Sequence, residues 1–91
     1  MKVLQVITDT NIGGAGIWLL NFLGTYDRDA IEMAVVLPRS GALVPRVEEL
    51  GVRVIEADGI SDRSFSQEGV GAMRRIFCKE RPDIVHTHAS L

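Results

Sequence analysis

The sequence predicts an α/β protein built on a doubly wound, all-parallel sheet, and two patterns carry that expectation. Four segments rich in β-branched residues, 2–8 (KVLQVIT), 31–37 (IEMAVVL), 52–57 (VRVIEA) and 83–86 (DIVH), alternate with three segments of helical character. The first two strand-like segments are apolar almost throughout rather than at every second position. That pattern marks strands covered on both faces, as in parallel sheets. Strand–helix alternation with helix-length crossovers then gives the order β-α-β-α-β-α-β in a doubly wound parallel sheet.

Each element follows from local chemistry. The first strand ends in a turn at 9–14 (DTNIGG), and a helix is expected over 15–23 with Ile17, Leu20 and Leu23 on its inner stripe. The second strand stops at Pro38, because the residue before a proline avoids helical geometry and proline lacks an N–H. A short helix over 43–50 tolerates Pro45 in its first turn and ends at Gly51, which supplies the left-handed conformation of a helix stop. The third strand leads into Glu56, Asp58 and Asp62, which read as a solvated loop. Ser64 followed three residues later by Gln67 fits a capping box for a helix running to Glu80. Val70, Met73, Ile76 and Phe77 form its expected inner face, and Pro82 ends it.

Composition bounds the function classes. Ninety-one residues with 46% hydrophobic and 24% charged content suit one small globular domain. The formal net charge of −2, with no basic run, argues against nucleic acid as a partner. The single cysteine, Cys78, cannot close an internal disulfide. The apolar stretch at the N-terminus is too short for a signal peptide or a membrane span, so a cytoplasmic location is expected. The order breaks off after the fourth strand, and the sequence therefore reads as an incomplete fold whose further strands lie elsewhere.

Three places offer binding chemistry. Gly13, Gly14 and Gly16 lie between the first strand and its helix, where a glycine turn and free helix N–H groups suit a phosphate or diphosphate. Ligands of open α/β sheets also gather at the carboxyl ends of the strands, where this turn falls. The alternative is a tight turn that needs glycine for geometry alone. A dinucleotide fingerprint is not met: Leu19 replaces its third glycine, and no acidic residue ends the second strand. A P-loop is excluded because no glycine precedes Lys and Ser or Thr. The second place is His86-Thr87-His88, whose two imidazoles point to one side of a strand. They suit a polar crevice that bonds a hydroxylated substrate or phosphate, or else merely satisfy local backbone groups. No metal site is expected, since zinc asks for three or four protein ligands. Asp9 and Asn11 are the third place, as hydroxyl-binding groups or as caps of the following helix. Trp18 and Phe22 form a second apolar stripe on the first helix, to be covered by further parts of the domain or by a partner or membrane surface.

The ordered set KVLQVIT, Gly13-Gly14, the apolar helix ending near Leu23, AVVLP, EELGVRVIE and RPDIVHTH resembles the N-terminal domain of glycosyltransferase family 4 over essentially the whole chain. The resemblance implies the first half of a Rossmann-like domain in the two-domain GT-B arrangement. It implies transfer of a sugar from a nucleotide-diphosphate sugar to a hydroxylated acceptor, with retained configuration and neither metal nor cofactor. By this resemblance Gly13 and Gly14 match the turn that approaches the donor diphosphate, and His86 and His88 match the histidine motif beside the cleft. Gly16 departs from the polar or acidic residue that many members carry. The C-terminal donor-binding domain with its E-x7-E glutamate pair is not among these residues, and no catalytic residue is assigned. The chain alone is therefore expected to be inactive, because a departing diphosphate needs donors from both sides of the cleft. A peripheral contact with the inner membrane face is the further localisation expected. The competing reading is a stand-alone α/β nucleotide-binding or receiver-like signalling module. It asks for an acidic pair after the first strand and a phosphorylatable aspartate near Asp58, whereas Asp9 stands single.

Overall fold

The computed structural model describes residues 1–8, 14–39, 41–58, 60–61, 64–65 and 67–88. In chain order the elements are β1 (Lys2–Ile7), α1 (Gly14–Leu23), β2 (Glu32–Pro38), α2 (Leu43–Glu49), β3 (Arg53–Ala57), β4 (Ile60–Ser61), β5 (Ser64–Phe65), α3 (Gln67–Glu80) and β6 (Ile84–His88). Four strands form one sheet in the order β3-β2-β1-β6, and every pairing within it is parallel. The expected α/β class and Rossmann-like winding are therefore present. Among the described residues no helix is long and apolar enough to cross a membrane.

The sheet is covered on both faces by two separate cores. One face of β1 and β2, with Val3, Ile7, Met33, Val35 and Leu37, packs on Leu19 and Leu23 of α1 and on Leu43 and Val47 of α2. The other face, with Leu4, Val6, Ala34 and Val36, packs on Ala72 and Met73 of α3. The two central strands are thus buried on both sides, which is why their sequences are apolar without alternation.

Helix ends follow the expected chemistry in part. Gly51 takes φ 75° after α2, and its N–H bonds Glu48 O at 2.9 Å. Arg81 takes the same kind of left-handed turn after α3 at φ 48°, and its N–H bonds Phe77 O at 2.9 Å. The capping box is corrected. Ser64 pairs with Ser61 in a small antiparallel β4–β5 hairpin where the sequence suggests only a loop, and α3 begins only at Gln67. Ser64 spends its place in a strand and stands too early to cap that helix.

Two helix faces are also corrected. In α3 the buried stripe is Gly69, Ala72, Met73 and Glu80, with Ile76 packed beside it. Val70 and Phe77, expected inside, are 59% and 38% exposed. In α1, Gly16, Leu19 and Leu23 are buried, whereas Ile17 is 55% exposed. In both helices small residues, Gly69 and Ala72 in one and Gly16 in the other, lie on the buried stripe, and bulky residues of the adjacent stripe are exposed.

At the amino end of the sheet the chain is tied by charge. Glu80 is almost fully buried. It accepts hydrogen bonds from Arg53 through both carboxylate oxygens, one of them at 2.9 Å from Nη2, and it meets Lys2 Nζ at 3.0 Å. The last residue of α3 therefore links β3 to β1 across β2. Asp83 fixes the start of β6, accepting from the Lys2 N–H at 2.7 Å and donating its own N–H to Lys2 O at 2.8 Å.

A candidate ligand crevice at the carboxyl end of β1 and β6

The opposite end of the sheet gathers the polar and aromatic groups. In the β1–β6 register Gln5 pairs with His86 and Ile7 with His88. Residues paired in a parallel ladder share a face, so Val3, Gln5, Ile7, Ile84, His86 and His88 all point toward the α1 side. The two imidazoles do converge, with ring centroids 4.2 Å apart. The i, i+2 spacing on a strand brings them together, as expected.

Two residues join this pair that the sequence reading had not placed there. Gln5 is 2% exposed, and its Oε1 lies 2.8 Å from His88 Nε2. Trp18 stands over both histidines, its ring centroid 5.2 Å from His88 and 6.0 Å from His86. Phe22 stacks on Trp18 at 5.3 Å, and Tyr26 stacks on Phe22 at 6.1 Å. The second stripe of α1 is therefore an aromatic column laid along the histidines, with the indole half-exposed at its end. A signal for Gln5 did exist in the sequence. A polar side chain in the middle of a doubly buried strand must find a partner, because leaving it unpaired costs about 1–3 kcal/mol.

Burial, and secondarily the neighbouring His86, hold the His88 imidazole below its ordinary pKa. The described part of α1 carries no ionisable side chain. This end of β1, β6 and α1 is thus a hydrogen-bonding and aromatic surface. Such surfaces suit uncharged polar ligands that offer hydroxyl groups and apolar ring faces.

Gly14 is the first residue of α1, and no acidic side chain stands in that helix's first turn. A crossover helix runs opposite to its strands, so this N-terminus lies at the same end of the sheet as His88. Its partial positive charge is uncompensated there by any described carboxylate of its own first turn. Gly13, Asp9 and Asn11, the other residues picked from the sequence, lie outside the described residues. Cys78 is exposed on α3, across the sheet from the histidines. Among the described residues, no three His, Cys, Asp or Glu side chains are grouped to hold a metal ion. Asp58 sits at the end of β3 in a bidentate pair with Arg39, at 2.7 and 3.3 Å.

No protein-family model, no curated protein and no solved structure matches this chain.

Proposed function

We propose that this chain forms the acceptor-side portion of a retaining glycosyltransferase. That enzyme would move a sugar from a nucleotide-diphosphate sugar to a hydroxylated acceptor. The observation that carries the reading is the shared end of β1, β6 and α1. There a His–His–Gln cluster under a half-exposed indole lies beside a helix N-terminus whose described first turn carries no acidic side chain. Hydroxyls of a sugar or acceptor ring suit the imidazoles, and the ring's C–H faces suit Trp18. The diphosphate, with two negative charges to neutralise, suits the N–H groups at Gly14. This division of labour agrees with the family 4 resemblance of the sequence.

A second domain supplies the rest in this reading, since a departing diphosphate needs donors from both sides of a cleft. Sugar transfer itself is then a property of the two-domain enzyme, working in the cytoplasm or at the inner membrane face. The receiver-like alternative is less favoured, because the Asp58 carboxylate is already engaged by Arg39.

Trp18 is the chain's single tryptophan, so its fluorescence reports the crevice directly. Titration with UDP, GDP and their glucose conjugates is expected to change Trp18 emission saturably, with no transfer by the 91-residue chain. Saturable NADH binding without any response to the nucleoside diphosphates would overturn the reading.

A further inference from the structure

We infer that Gln5 is a positioning residue that holds His88 as its Nε2–H tautomer, so that Nδ1 is the nitrogen His88 offers to a ligand as a hydrogen-bond acceptor. Gln5 presents its carbonyl oxygen, Oε1, to His88 Nε2 at 2.8 Å. A carbonyl oxygen only accepts, so the ring nitrogen that faces it carries the proton and donates. In a neutral imidazole the other nitrogen, Nδ1, then keeps its lone pair.

The surroundings keep this state in place. Gln5 is 2% exposed and stands between the buried Val3 and Ile7 on the α1 face of its strand, so its amide is enclosed there. Trp18 and His86 border the His88 ring. Of the described groups around it, on β1, α1 and β6, His86 is the titratable one, and a second imidazole beside the first opposes a second proton. A neutral ring with a fixed proton can take a proton from a hydroxyl, or accept its hydrogen bond, only through Nδ1. The freely rotating hydroxyl of a sugar or acceptor is a matching donor. This role rests on the transferase reading, but the tautomer itself does not.

The test reads the tautomer directly. Long-range ¹H–¹⁵N correlation spectra of the uniformly labelled chain at neutral pH distinguish protonated from lone-pair ring nitrogens. The expected spectrum assigns His88 as a single Nε2–H tautomer. Gln5→Met removes the acceptor at similar volume and is expected to give a mixture of the two tautomers. Gln5→Glu puts a carboxylate at the same place and is expected to raise the His88 midpoint by about one pH unit or more. A wild-type Nδ1–H tautomer would overturn the inference, because the amide would then face the ring with its NH₂. Retention of a pure Nε2–H state in Gln5→Met would overturn it too, since something other than Gln5 would be setting the proton. An Nε2–H wild type that ignores UDP, GDP and their sugar conjugates leaves the positioning role standing and removes only the transferase reading.

Discussion

At the β3 edge of the sheet Arg53 reaches over to Glu80, Arg39 pairs with Asp58, and a cleft of about 380 Å³ beside α3 is lined by further charges such as Glu68, Arg75 and Lys79. At the β6 edge the strand Ile84–His88 carries no carboxylate, lysine or proline. Its flank against α3 is an apolar groove of about 520 Å³ lined by Val6, Val70, Met73, Phe77 and Thr87, with Arg74 as the charged residue on it. Ile84 and Val85 are 46% and 40% exposed. The same helix divides the two regions, ionic on one side and apolar on the other. Charged side chains at an edge discourage a further strand from pairing there, and an uncharged apolar edge admits one. The β3 edge is therefore finished as a surface, whereas the β6 edge is chemically suited to being covered.

The sharpest way to break this contrast is to remove the charge that finishes the first edge. Glu80→Gln leaves Arg53 and Lys2 facing a neutral amide in a nearly closed place. It is expected to lower unfolding free energy in urea by about 1–3 kcal/mol. An unchanged midpoint would show that the ionic tie is ornamental.

The same group gives a pH signature. Hydrogen bonds from Arg53, then from Lys2, pull the Glu80 carboxyl down from 4.5 to about 2, against the opposing effect of burial. A depressed carboxylate pKa contributes stability that is fully present above the unfolded value and is lost as pH falls toward the folded one. Wild-type stability is expected to fall between about pH 4.5 and 2, and Glu80→Gln should flatten that slope. His88 acts in the same direction at higher pH. Because burial lowers its pKa, protonation favours the unfolded chain, and stability declines as pH drops below the ordinary histidine range near 6.5.

A smaller stability effect sharpens the other side. Val85→Lys puts a charge on the open edge. It should change unfolding free energy by no more than about 0.5 kcal/mol while reducing concentration-dependent association in light scattering. A large loss of stability with no change in association would mean that Val85 serves the core rather than the edge. The smallest effect belongs to Asp58→Asn. Its pair with Arg39 is about half-exposed to solvent, so the thermal midpoint should not move measurably.

How far the sequence reached can be argued from single residues. Lys2–Ile7 and Glu32–Pro38 were legible because burial on both faces writes an unbroken apolar run. Gly51 was legible as a stop because few residues other than glycine take φ 75° at low cost. His86 and His88 were legible as a pair because a strand repeats every two residues. The inner face of α3 was not. Val70 and Phe77 obey the same helical period as Ala72 and Met73, one stripe away, and period alone cannot say which stripe meets the sheet. Trp18 as a roof on the histidines was hidden for a related reason, since residues 18 and 88 meet only through the packing of α1 on the β1–β6 ladder.

The sequence by itself determined the class of the fold, the order of the four sheet strands and three helices, and the two imidazoles on one strand face. Those features are set by local periodicity, by turn chemistry and by the right-handedness of strand crossovers, all of which act within a few dozen residues. Only the tertiary structure decided which helix stripe is buried, that Glu80 ties β3 to β1, and that Gln5 is the partner of His88. The last two join residues separated by 27 to 83 positions. Which helix stripe is buried depends on side-chain volumes acting together across the helix–sheet contact, whereas Gln5 meets His88 through the pairing of β1 with β6.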